Sequence, residues 1–271
     1  MQASFFINLF GDYVDINYKI SQCDNSSSWL FLIHGLFGSA DNLAIIKRHF
    51  EKQYNIVSID LPDHGESKWT NGFDITNAAN AINDIVETLS LSSVAILGHS
   101  LGGKVAMQFA LNYPEKVSHL VVADIAPVAY NHRHYSIFNG LNAVPLDDIQ
   151  GRKDAETSMS EFIEEPGVRQ FLLKSLYKTD EGKWSWRFNL AGLIESYPHI
   201  VDWQQTSKQF NGPTLFIKGG NSDYITADHK AAIGIYFPNA KAHIIEGVGH
   251  WLHAEKPAAF NAIVERMLQK N

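Results

Sequence analysis

The stretch Val94-Ala95-Ile96-Leu97-Gly98-His99-Ser100-Leu101-Gly102-Gly103-Lys104 decides the fold of this chain. An aliphatic run ends in the pattern G-x-S-x-G, and helical spacing continues over residues 104–112. Strand, turn and helix in that order describe a sharp turn that presents a serine hydroxyl at its apex. The serine there sits in a strained backbone conformation, and flanking glycines relieve the crowding. The following helix aims its electropositive N-terminus at the reacting centre. A glycine-rich turn with a capping serine is the plainer alternative, but it does not call for a strand before it and a helix after it. Ser100 is therefore the expected nucleophile.

Outward from this turn, short buried runs alternate with amphipathic ones. Strands are expected over residues 30–33, 55–60, 93–97 and 117–123, and helices over 42–52, 75–89 and 104–112. This alternation predicts a mostly parallel eight-stranded sheet with helices on both faces. The apolar start, residues 1–11, reads as a strand. From about residue 127 to 210 no clear strand appears. Amphipathic pieces stand at 160–164 and 168–177, among aromatics such as Phe138, Phe171, Trp184, Trp186 and Trp203. Residues 128–210 thus read as an inserted helical lid, most of its aromatics forming its own core. Alternation resumes with strands at 213–218 and 242–246 and helices at 227–236 and 256–269. The α/β core is then residues 1–127 and 211–271.

Composition narrows the function classes. The chain has 271 residues and a formal net charge of −7, which argues against a nucleic-acid partner. No apolar run reaches membrane-spanning length, so stable membrane insertion is not expected. Residues 1–11 lack the charged start and small-residue cleavage site of a signal peptide. Cys23 is the single cysteine. A reducing compartment is permitted, and the cytoplasm is the expected location. No clustered Cys and His ligands suggest a structural zinc site, and neither metal nor cofactor is expected.

The partners of Ser100 follow from acyl-transfer chemistry. A tetrahedral intermediate needs two backbone donors for its oxyanion. Leu101, next to the nucleophile, supplies one, and Leu36, in His34-Gly35-Leu36-Phe37-Gly38, the other. His34 is read mainly as orienting that loop. Among twelve histidines, His250 stands in a loop just after the last strand, where the order Ser, acid, His requires the base. His99 should point away from the hydroxyl, His253 should fall toward the last helix, and His64 and Ser67 stabilise a turn. Two loops offer the acid. Asp124 ends the strand over residues 117–123, and Asp223 follows Gly219-Gly220-Asn221-Ser222. Where that later loop supplies the acid, it stands three residues after the first glycine. Ser222 holds that place here, so Asp124 is favoured and Asp223 kept as the alternative.

Taken together, His34 to Ser39, Gly98 to Lys104, Asp124-Ile125-Ala126-Pro127, Gly219 to Ser222 and Gly249 to Pro257 resemble the bacterial YbfF-type esterases and the related eukaryotic abhydrolase-domain proteins. The resemblance spans nearly the whole chain. It implies the α/β-hydrolase fold, an acid at Asp124, and hydrolysis of small-molecule carboxylic esters, with acyl-CoA thioesters as further substrates. One departure is the acidic Asp223 after Gly-Gly-Asn-Ser, which leaves a backup acid open. The expected substrate contacts are His34, Phe37, Arg133, Trp186 and Trp251; Arg133 or Arg187 would meet an anionic group. His132 and His134 follow Asp124 closely enough to reach the rim. Alternative readings are perhydrolysis or carbon–carbon bond hydrolysis on the same fold, or a slow-turnover ligand receptor. Dehalogenase and epoxide hydrolase chemistry of the usual kind would need an aspartate in place of Ser100.

Overall fold

The computed structural model describes residues 15–269. β1 (Tyr18–Ser21) and β2 (Trp29–Ile33) lead through α1 (Ala44–Phe50) to β3 (Asn55–Ile59). Next come α2 (Ile75–Thr88), β4 (Val94–His99), α3 (Leu101–Asn112) and β5 (Val117–Ala123). The chain then forms α4 (Tyr135–Asn142), α5 (Arg152–Ser160) and α6 (Pro166–Leu173). A hairpin of β6 (Leu176–Lys178) and β7 (Trp184–Trp186) follows, then α7 (Leu190–Glu195) and α8 (Tyr197–Val201). It closes with β8 (Thr214–Gly219), α9 (Lys230–Tyr236), β9 (Ala240–Ile245), α10 (Leu252–Glu255) and α11 (Pro257–Leu268).

Seven strands of the described residues form one sheet in the order β1-β3-β2-β4-β5-β8-β9. Only β1 runs antiparallel. The strand expected over residues 1–11 lies outside the described residues. The two-residue side-chain period explains why both faces are covered. In β2, Leu30 and Leu32 pack with Phe50 of α1 and Phe260 and Val264 of α11. Phe31 and Ile33 join a second cluster with Ile82 of α2 and Val105 and Phe109 of α3. That second cluster continues into Phe138, Leu172, Trp186, Phe188 and Tyr197. The segment between β5 and β8 therefore shares its apolar core with the sheet.

Three sequence expectations need correction. The segment over residues 127–210 does contain strands: β6 and β7 pair through Leu176↔Trp186 and Lys178↔Trp184. Strands of three residues are too short to show a period, and Gly182 at φ 79° lets the hairpin turn close. Helix α5 ends at Ser160, so residues 161–164 are not helical, and Pro166 starts α6 instead. His253 belongs to the separate short helix α10, not to α11.

Candidate active site

The motif serine sits between β4 and α3 with φ 53° and ψ −120°. Few non-glycine residues hold a positive φ, and the surrounding contacts over-determine this one. A side chain at Gly98 would place Cβ 2.1 Å from the carbonyl oxygen of Gly102, and one at Gly102 would meet the carbonyl oxygens of Ile33 and His34 at 2.4 Å. Two motif positions therefore admit only glycine, because backbone passes where a Cβ would stand. Leu101 is the first residue of α3, so its N–H has no partner within the helix.

Asp124 directly follows β5 at φ 54° and is fully buried. Its Oδ1 accepts the Gly219 N–H at 3.0 Å. Its Oδ2 accepts from His250 Nδ1 at 2.8 Å and from the Ser222 hydroxyl. A carboxylate here can only accept, so His250 carries its proton on Nδ1 and leaves the Nε2 lone pair free. The Tyr224 ring stacks on the imidazole with centroids 3.9 Å apart. On another side, the His99 ring lies 4.7 Å from that of His250, and His99 Nε2 donates to the His250 carbonyl at 2.8 Å. Burial holds His99 well below the usual imidazole range.

Asp223 lies elsewhere. Its side chain is exposed, and both its oxygens accept from Arg133, at 2.9 and 2.7 Å. That hydrogen-bonded guanidinium holds the Asp223 carboxyl below the usual range. The Arg133 guanidinium also covers the Tyr224 ring at 4.7 Å. The geometry therefore joins Asp124, not Asp223, to His250.

Two cavities open to solvent meet at Ser100, with about 360 and 390 Å³ of empty space counted together with that solvent. Leu36, Ser100 and His134 line both. The first also has Leu101, Ile125, Tyr130, Ile200 and Val201 in its wall. The second has His250, Phe37, Val168, Phe171 and Trp251. His134 is held between two hydroxyls. The Tyr197 oxygen accepts the N–H groups of Arg133 and His134, so its own hydrogen goes to His134 Nδ1 at 2.6 Å. His134 Nε2 then donates to the Tyr224 oxygen at 3.1 Å. Burial pushes the His134 imidazole down to about 4.

Not every expected contact reaches these cavities. His34 is fully buried, donating from Nδ1 to Gly35 O at 2.8 Å and accepting Leu61 N–H at Nε2 at 3.0 Å. Both ring nitrogens are occupied, so His34 braces the Leu36 loop and touches no substrate space. Burial also lowers its pKa. Trp186 is buried against Phe188, the rings stacked at 5.5 Å, and it lines neither cavity. Arg187 lies over the Tyr177 ring at 4.3 Å. His132 is exposed beside Tyr135. Phe37, Arg133 and Trp251 do line the cavities.

Three neighbours escaped the sequence reading. Ser222 and Tyr224 flank Asp223, yet only their places beside Asp124 and His250 give them meaning. Lys104 looked like an ordinary first residue of a helix. Its ammonium is buried, donating to the carbonyls of Ile200, Val201 and Asp202 at 3.2, 2.7 and 2.8 Å. Burial pushes it down to about 7.

Comparison with known proteins agrees with this architecture. The family described as alpha/beta hydrolase fold matches residues 28–257. Esterase YbfF of Escherichia coli is 38% identical over 94% of this chain and 98% of its own length. The mouse (Mus musculus) sn-1-specific diacylglycerol lipase ABHD11 is 32% identical, over 93% of this chain and 85% of its own. The solved structure of a marine microorganism esterase superposes with a TM-score of 0.90 at 32% identity, covering 94% of this chain and 99% of that one.

Proposed function

This chain belongs to the α/β-hydrolase family, and from that premise we propose that it hydrolyses carboxylic esters through an acyl-enzyme on Ser100. The observation that carries the reading is the meeting of Ser100, on its strained turn, with a His250 already tied to buried Asp124, both lining one cavity. The esterase and lipase relatives support the substrate class.

The reaction runs in two halves. His250 Nε2 accepts the Ser100 proton as Oγ bonds to the acyl carbon. The N–H groups of Leu36 and Leu101 hold the oxyanion, each donor contributing roughly 3 kcal/mol to the transition state. His250 returns its proton to the leaving oxygen as the carbon–oxygen bond breaks. Water, deprotonated by the same nitrogen, then attacks the acyl-enzyme and releases the acid. Asp124 keeps the tautomer and stabilises the imidazolium. Every proton is returned, so the cycle requires no added oxidant, reductant or cofactor.

The test is steady-state hydrolysis of one acyl group presented as a simple oxygen ester and as a CoA thioester, with Ser100→Ala alongside. The expected result is ester turnover that falls roughly 10⁴-fold or more in the variant. A CoA preference would move the assignment to a thioesterase. Turnover of neither compound, or equal rates for the variant, would overturn the reading.

A further inference from the structure

We infer that the two cavities at Ser100 divide the substrate: the cavity shared with His250 takes the leaving alcohol, and the cavity lined by Tyr130 and Val201 takes an apolar acyl chain. This rests on the ester-hydrolase reading and adds to it the orientation and class of the ester.

The argument starts from the proton. His250 must deliver it to the leaving oxygen, so that oxygen and the group it carries lie on the His250 side of Ser100. His250, Trp251 and His99 line only the second cavity. The acyl carbon bonded to Oγ has one further substituent besides the oxyanion and the leaving oxygen. With the oxyanion at Leu36 and Leu101 and the leaving group toward His250, that substituent enters the first cavity. Leu36 and Ser100 line both cavities, as a carbonyl centred between two arms requires.

Lining chemistry then sets the class of each arm. Two cationic side chains border the acyl arm, yet neither offers a free charge. The Lys104 ammonium is spent on three carbonyls, and the Arg133 guanidinium on Asp223 and the Tyr224 ring. The rest of the wall is Leu36, Leu101, Ile125, Ile200 and Val201 with Tyr130, Tyr224 and His134, whose polar atoms bond one another and neighbouring groups, which suits a hydrocarbon chain and offers no free cation to an ω-carboxylate. The alcohol arm is walled by Phe37, Ile137, Val168, Phe171, Leu172 and Trp251, which suits an extended apolar alcohol. Its emptying after acylation also opens the path by which water reaches His250. The substrate is thus an ester apolar on both sides of the carboxyl group.

Two ester series separate the arms. In one, acyl length runs from acetyl to decanoyl on a fixed leaving group. In the other, alcohol length runs from methyl to octyl on a fixed acyl group. The readout is the ratio of kcat/KM for the longest to the shortest member, in wild type, Val201→Phe and Val168→Phe. Val201→Phe should lower the acyl ratio on the order of 10-fold and change the alcohol ratio less than about 2-fold. Val168→Phe should do the reverse. Val201→Ala and Val168→Ala supply the same comparison by enlargement, should either Phe variant fail to fold. The opposite assignment, or both positions acting on one series, would overturn the division. An absence of Ser100-dependent turnover of any ester would instead sink the ester-hydrolase reading beneath it.

Discussion

Asp124 and Asp223 show how much one residue of displacement decides. Asp124 leaves its strand in a left-handed conformation, and that turn carries its carboxylate to Gly219, Ser222 and His250. Asp223 sits one position past the place where the later loop would supply the acid, and its side chain meets Arg133 at the surface. Asp124→Asn should lower kcat by about 10⁴-fold, because an amide can no longer hold the His250 tautomer. Asp223→Asn should cost less than about 10-fold, since an exposed ion pair contributes at most ~1 kcal/mol. Parallel kinetics of the two variants would check this, and a reversed order would make Asp223 the acid. Ser222→Ala removes one of three donors from a buried carboxylate. Its expected effect is a kcat loss of about 10-fold, for a charged hydrogen bond of ~1.5 kcal/mol or more, with KM unchanged in the same assay. Ser100 and His250 were expected because each follows a strand in a fixed chain order, and Asp124 was favoured on the same ground with Asp223 kept as the alternative. Ser222 and Tyr224 were not, because the chain order assigns them no role and only proximity does.

At the scale of elements, the helix after the nucleophile is tied to α8 by one side chain. Lys104 reaches from the first turn of α3 to the carbonyls of Ile200 and Val201 at the end of α8, which no helical N–H follows to bond. Tyr130 N–H bonds the Val201 carbonyl at the same junction, at 2.9 Å. Lys104→Met keeps the stem but leaves these buried carbonyls under-satisfied. A destabilisation of about 3 kcal/mol is expected, a melting shift of roughly 6–12 °C for a chain of this size. A melting temperature within 2 °C or so of wild type would mean that α8 is held by apolar packing alone. The sequence showed the helices α2, α3 and α11 through their apolar period. It did not show β6 and β7, whose three residues each are shorter than any readable pattern.

At the scale of the molecule, the interior holds an unusual set of neutral histidines. His34, His64, His99 and His253 are buried and His134 half-buried. Burial pushes His64 and His253 down to about 3 and His134 to about 4, and lowers His34 and His99 as well. Above pH 6.5 these rings are neutral in both folded and unfolded chains and contribute no pH dependence. Below it the unfolded chain binds protons that the folded chain refuses. Stability should therefore fall with falling pH, by up to about 1.4 kcal/mol per pH unit for each ring, until the folded pKa is reached. Urea midpoints at pH 7.5, 6 and 5 would show this as a steep drop below pH 6.5. A flat profile would mean that the rings take up protons in place. Among the described residues, no helix is long and apolar enough to cross a membrane.

The sequence by itself determined the α/β alternation, the strained serine turn and the order of the residues around it. Those features are local: side-chain period, glycine placement and position after a strand act within a few residues of chain. The tertiary structure decided which carboxylate meets His250, which histidines are braces, and how the segment between β5 and β8 folds over Ser100 into two cavities. Those outcomes depend on contacts between residues nearly a hundred or more positions apart, such as Asp124 with His250 and Lys104 with Val201. No local pattern encodes such a distance, because it is fixed only when the whole apolar core closes.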